Sequence, residues 1–277
     1  MGHRDSSDKS RTYHNRVASV YDNIYDDPFW DFHDQLTWEH LKTFVPASPD
    51  GAILDLGCGT GKWGFKLLKA GFPTSFVDHS PKMLEMVERK LHTWTETADL
   101  HSKADRATLQ VDDAKTLQSL PPNHFSLAIA LGDVVSICGD AAACLSALHR
   151  VVKPDGVVVF TVDNLLAALD HFVSAGKLDH LDDFVRSGKT HWLTADRREQ
   201  FDVRMFTPQQ IEHLAAKSGF ALISMIGKTI LPVRQNRKFF QASGAIKQML
   251  AMESLLARDP AATGRAAHLQ LAVRKRA

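Results

Sequence analysis

Between residues 51 and 163 the chain changes texture every few residues. "GAILDLG" is a short apolar run, and "KWGFKLLKAG" follows with helical spacing and closes at Gly71. "PTSFVD" is apolar again. "SPKMLEMVERKLHTW" is a helix with Ser80 as its cap and Pro81 in its first turn. "ATLQVDDA", "FSLAIALGD" and "VVVFTV" read as further strands, with the helix "DAAACLSALHRVV" and the turn "KPDG" before the last. "FSLAIALGD" is continuously apolar, so it is expected to be buried on both faces. Strands and helices alternating at this pitch mean an α/β protein with a parallel, doubly wound sheet.

The flanks read differently. Residues 1–12 are polar and are expected to form a disordered lead-in. Over 13–50 the spacing of Val17, Val20, Tyr21, Ile24, Phe29, Phe32, Leu36 and Leu41 predicts helices, the second beginning at Pro28, and these form an N-terminal helical lid. The core occupies 51–163. Residues 164–205 break the alternation with helical segments and a polar stretch, and are assigned to a helical insertion. Over 206–277 the core resumes with the helix "TPQQIEHLAAKSGF", capped by Thr207, and two final strands, "FALISMIGKTIL" and "AAHLQLAVRKR".

Composition narrows the class. A chain of 277 residues, 44% hydrophobic and 23% charged, can bury its own core. Cys58, Cys138 and Cys144 form no CxxC pair, which argues against a disulfide framework or a cysteine zinc site and fits a reducing cytoplasm. A net charge of +1 argues against a nucleic-acid partner, and no apolar stretch approaches a membrane span. The N-terminus has no apolar signal region; its Met-Gly-x-x-x-Ser pattern is short and recurs by chance.

The stretch "LDLGCGTGKWGF" then sets the ligand. A strand ending in glycines and feeding a helix aims free N–H groups outward, and glycine permits positive φ and close approach of a ligand. A nucleotide-like ligand is therefore expected at the carboxyl end of the first strand. Gly59, Gly61 and Gly64 fit the GxGxxG of a dinucleotide site, with Asp78 about 20 residues on. The register argues against it, because the first glycine after the strand is Gly57 and it begins GxGxG.

The whole series of motifs resembles another family. "ILDLGCGTG", "SFVDHSPKML", "LQVDDAKTL", "HFSLAIALGDVVSI", "ALHRVVKPDGVVVFTVDN" and "FTPQQIEHLAAKSGF" follow the order and spacing of the class I S-adenosylmethionine-dependent methyltransferases. The likeness is strong over roughly residues 50–163 and weaker over 205–277. It implies a Rossmann-like, seven-stranded sheet with one antiparallel strand, the terminal strand lying beside the fifth. It also implies S-adenosyl-L-methionine as the methyl donor and S-adenosyl-L-homocysteine as product. On this resemblance Gly57, Gly59 and Gly61 wrap the amino-acid end of the donor, with Leu131 and Gly132 offering backbone oxygen and Tyr21 closing over it. Asp78 accepts from the ribose hydroxyls, a task suited to an ionised carboxylate. Asp113 and Ala114 meet the adenine, with Asp112 as competitor, and Met83 either walls the adenine or packs in the core. Asp55 orients the loop, or simply bonds turn amides.

The acceptor site lies outside the shared core. A sulfonium methyl is already activated, so holding nucleophile, carbon and sulfur in line dominates, and a base is needed only when the acceptor must lose a proton. The candidate bases are His191 and His33. The candidate acceptor-binding residues are Tyr25, Trp30, Asp133, Asn164 and Trp192. Asp133, Asp163 and Asn164 share a strand-end rim where metal-dependent relatives hold an ion, but Asp133 is displaced along its strand, and no metal is expected. The chain lacks the (Asn/Asp)-Pro-Pro-(Tyr/Phe) and Pro-Cys signatures of DNA methylating enzymes. A small-molecule acceptor, methylated at oxygen, nitrogen or carbon, is the reading adopted. An RNA or protein acceptor, or a non-catalytic S-adenosylmethionine-binding protein, is the alternative.

Overall fold

A computed structural model describes residues 6–174, 176, 178–191, 200–233 and 237–276. The main sheet contains β1 (Ala52–Leu56), β2 (Thr74–Asp78), β3 (Ala107–Val111), β4 (Phe125–Ala130) and β5 (Val152–Asp163). A two-stranded ribbon follows, β6 (Lys189–His191) with β7 (Asp202–Arg204). The main sheet is completed by β8 (Phe220–Lys228) and β9 (His268–Lys275), in the order β3-β2-β1-β4-β5-β9-β8. Strands β1 to β5 pair in parallel, and β9 runs antiparallel to both β5 and β8. The terminal strand thus lies beside the fifth, as expected.

The apolar runs explain why this sheet is covered on both sides. Ile53, Leu127, Ile129 and Val159 face one helical layer, and Leu54, Ala128, Val158 and Phe160 face the other, all without exposure. Helices end where their caps stand. Ser80 Oγ accepts from Met83 N–H at 3.2 Å, and Thr207 forms a capping box with Gln210. Asp27 caps helix Pro28–Leu41 by accepting from Phe29 N–H at 2.8 Å.

Four features differ from the expectations drawn from sequence. A helix begins at Ser6, inside the stretch 1–12 expected to be disordered, and runs on to Val17. Its hold is tertiary: Val17 packs on Met83. The "KPDG" turn is absorbed into β5 as a bulge, with Asp155 at φ 61° and a register shift against β4 between Phe125 and Leu127. The 164–205 insertion contains the β6–β7 ribbon as well as helices Leu165–Ser174 and Leu181–Ser187. Between β8 and β9, expected as consecutive strands, stand helices Ala245–Leu256 and Pro260–Thr263. The first of these is tied down by Glu253, fully buried, whose carboxylate accepts from Ile230 and Leu231 N–H at 3.1 and 2.8 Å.

Candidate active site

The carboxyl ends of β1 and β4 are adjacent where strand order reverses, the place where open α/β sheets leave a crevice. The loop after β1 takes positive φ at Gly57 (62°), Gly59 (53°) and Gly61 (89°). A side chain at Gly57 would put its Cβ 2.3 Å from Val134 Cγ2. Two acids fix this loop. Asp55 Oδ2 accepts from Gly64 N–H at 2.8 Å, at the start of helix Lys62–Lys69. Burial, with Asp78 adding to it and the Gly64 bond opposing, pushes the Asp55 carboxyl up to about 7. Asp78 Oδ2 accepts from Gly59 N–H at 2.9 Å, and its Oδ1 accepts from Ser80 N–H at 2.8 Å.

The crevice has two lobes. A narrow one of about 60 Å³ is lined by Asp78, His79, Asp113, Ala114 and Cys138. A wide one of about 630 Å³ extends under the N-terminal helices. Gly57, Gly59, Leu131, Gly132 and Tyr21 line both, so the lobes meet above the glycine loop. Tyr21, Tyr25 and Trp30 form a chain of rings on the wide lobe, with centroids 4.9 and 4.8 Å apart. Burial, and Tyr25 after it, drives the Tyr21 hydroxyl well above its ordinary value. Phe201, Val203 and Met205 bring the insertion to the same wall.

Geometry separates Asp112 from Asp113. Asp112 Oδ2 accepts from Ser119 N–H at 2.8 Å and so holds its own loop together. Asp113 lines the narrow lobe. Met83 is fully buried against Val17 and Ala18 and lines neither lobe, which is the core-packing alternative. Asp55 and Gly61 also lie behind the lining.

Among the acceptor-side candidates, Tyr25, Trp30, Asp133 and His33 line the wide lobe. His191 does not. It sits on the β6–β7 ribbon with its side chain 65% exposed, 3.0 Å from Asp202. Asn164 is also corrected. Its Nδ2 donates to the carbonyls of Gly264 and Ala266 at 3.0 and 2.7 Å, and its Oδ1 accepts from Leu166 N–H at 3.1 Å. It is 1% exposed and ties the end of β5 to the approach to β9, away from both lobes. Trp192 lies outside the described residues.

The floor of the wide lobe holds a charged group that the sequence motifs do not mark. Lys228, 1% exposed, donates to Thr37 Oγ1 at 2.9 Å and to His33 Nε2 at 3.2 Å. Burial lowers its ammonium to about 8, against the pull of Asp133, Asp34 and Asp163. Burial and the Lys228 charge hold His33 down to about 3, so its imidazole is neutral and weakly basic. His33 therefore fits an acceptor for the lysine better than the general base expected of it. His268 Nε2 stands 3.7 Å from Asp133 Oδ2 and 3.6 Å from Asp163 Oδ1. These three side chains could chelate an ion, but Lys228 already sets a positive charge against the same two acids.

The sheet order and the crevice at its reversal are those of the class I methyltransferase fold. Residues 53–156 match the family model described as a methyltransferase domain. Bacillus subtilis YqeM, a methyltransferase by name, is 24% identical over 229 residues, covering 74% of this chain and 85% of its own. The ubiquinone biosynthesis O-methyltransferase of Neisseria meningitidis is 26% identical over 180 residues, 64% of this chain and 66% of its own. Among solved structures, phosphoethanolamine N-methyltransferase 2 of Haemonchus contortus in complex with S-adenosyl-L-methionine superposes with a TM-score of 0.60. It is 21% identical, over 100% of this chain and 61% of its own. No described helix is long and apolar enough to cross a membrane.

Proposed function

We infer that the protein methylates a small molecule held in the wide lobe. The observation that carries this is the lobe itself: about 630 Å³, roofed by aromatic rings and opening onto the glycine loop. That volume lies in the range of small-ligand pockets. The relative named for ubiquinone biosynthesis supports the same acceptor class.

In this reading the nucleoside end of the donor occupies the narrow lobe. Asp78 accepts from the ribose hydroxyls; a carboxylate has about four lone-pair sites, and Gly59 and Ser80 N–H use two. Asp113 and the Ala114 amide face the adenine. Gly57 and Gly59 approach the methionine end, Gly61 starts the helix behind them, and Leu131 and Gly132 offer carbonyls to its ammonium. Tyr21 covers that end from the lid. The methyl then lies where the lobes meet, and transfer is an in-line displacement governed by positioning.

Calorimetric titration tests the donor site. Wild type should bind S-adenosylmethionine and S-adenosylhomocysteine but no nicotinamide dinucleotide. Asp78→Ala should weaken both adenosyl ligands by roughly 10- to 100-fold, the loss of charge-assisted hydrogen bonds. Nicotinamide binding without adenosyl binding would overturn the reading and return attention to Gly59, Gly61 and Gly64.

A further inference from the structure

On the floor of the wide lobe, Lys228 and Asp133 each keep hydrogen-bonding capacity that no described residue fills. The Lys228 ammonium carries three hydrogens. Thr37 Oγ1 and His33 Nε2 take two of them, and among the described residues no acceptor stands at the third. Asp133 Oδ1 is buried and accepts no hydrogen bond from the described residues. Both side chains line the lobe, and Lys228 feels the Asp133 charge. The backbone holds Asp133 there at a cost. It sits at φ 61°, in the left-handed region, with its N–H donating to Thr161 Oγ1 at 2.9 Å. It directly follows Leu131 and Gly132, where the two lobes join.

We propose that Lys228 and Asp133 form the acceptor subsite, and that the nucleophile they bind is a hydroxyl oxygen. The proposal rests on the methyl-transfer reading and names its substrate class. A hydroxyl has one hydrogen and two lone pairs. Its hydrogen satisfies Asp133 Oδ1, one lone pair satisfies the third Lys228 hydrogen, and the other lone pair is left for the methyl carbon. A neutral amine has a single lone pair, the one that must attack, and leaves the lysine unsatisfied. A protonated amine meets the lysine charge. A carbon nucleophile offers neither contact.

The step balances on these groups. The acceptor oxygen forms a bond to the methyl carbon as its proton passes to the Asp133 carboxylate. The carbon–sulfur bond breaks, and its electron pair stays on sulfur, giving neutral S-adenosylhomocysteine. Lys228 stabilises the negative charge that gathers on oxygen as the proton leaves.

Binding of simple probes tests this without the natural acceptor. Protein loaded with S-adenosylhomocysteine is dialysed to equilibrium against 4-methylphenol, 4-methylaniline and toluene, three probes of one shape. The phenol should bind tighter than the other two by roughly tenfold or more, because its oxygen accepts from Lys228 far better than the aniline nitrogen, whose single lone pair is drawn into the ring, and toluene offers neither contact. Lys228→Met, close in shape and uncharged, should erase that preference while S-adenosylhomocysteine still binds. Asp133→Asn, which tolerates the left-handed backbone, should reduce it. Equal binding of phenol and aniline, no binding of the phenol, or a preference that survives Lys228→Met would each overturn the proposal. A protein that fails to take up S-adenosylhomocysteine would instead strike the donor site.

Discussion

Asp55 shows how one buried atom group couples the loop to pH. Its carboxyl is 2% exposed and titrates at about 7 instead of 3.8. The folded state therefore keeps a proton that the unfolded chain releases from about pH 4 upward. Stability falls as pH rises through that window and levels off above about 7. Asn at this position still accepts from Gly64 N–H and has no charge to bury. Urea melts of wild type and Asp55→Asn should diverge across the window by up to about 4 kcal/mol, the variant gaining relative to wild type as pH rises. His33 and His40, held down to about 3 and about 4, slope the opposite way toward 6.5, but they cancel in the difference. A flat difference would mean that Asp55 is ionised throughout. At this scale the sequence is readable where a motif fixes the backbone, as at Gly57, Gly59, Asp78 and Asp113. It fails where a side chain's partner lies far along the chain. Asn164 is consumed by carbonyls a hundred residues away. Lys228 has a signal, a lone charge in "FALISMIGKTIL", but its partners Thr37 and His33 are on another element.

The helix Ser6–Val17 closes the narrow lobe. Asn15 Oδ1 accepts from Ser80 Oγ at 2.7 Å, and Val17 and Ala18 pack on Met83. What remains beneath is about 60 Å³, room for a few waters and far too little for a nucleoside. The helix is therefore expected to lift as the donor enters and to settle again over it. Amide exchange over residues 6–17 should therefore slow when S-adenosylhomocysteine is added, and Asn15→Ala should speed it in the free protein. Unchanged exchange on ligand addition would mean that the helix does not gate the lobe. This helix also marks the limit of element-level reading. The strands and caps of the core are plain because their patterns are local: period, apolar run, Ser-Pro and Thr-Pro starts. "SSDKSRTYHNRV" is polar and forms a helix because of the surface it lands on. The helices between β8 and β9 are hidden for a related reason. Their packing partners, such as the amides that Glu253 holds, lie at the end of β8 and not within their own period.

At the scale of the molecule, the segment that matches the family model, residues 53–156, leaves its sheet incomplete. It ends within β5, whose free edge is covered by β9, with pairs running from Val157↔Arg274 to Asp163↔His268. Leu269, Leu271 and Val273 of β9 are fully buried, and they extend the core that contains Val158, Phe160 and Val162. Cutting the chain after 163 would expose that face together with a long apolar edge, the combination that drives strands to pair between molecules. Each such side chain buried is worth about 1.5–3 kcal/mol, so losing the three on β9 alone removes about 4.5–9 kcal/mol, comparable with the roughly 5–15 kcal/mol by which a domain is ordinarily stable. A fragment of residues 51–163 should therefore aggregate or show no cooperative melt. The full chain should melt in one transition that S-adenosylhomocysteine raises, by about 2.7 kcal/mol at a hundredfold excess over its dissociation constant. A fragment that melts cooperatively by itself would show that β8 and β9 are an addition to a self-sufficient core. It would also separate the donor lobe from Lys228 and His268, which reach the acceptor lobe only because the chain returns to complete the sheet.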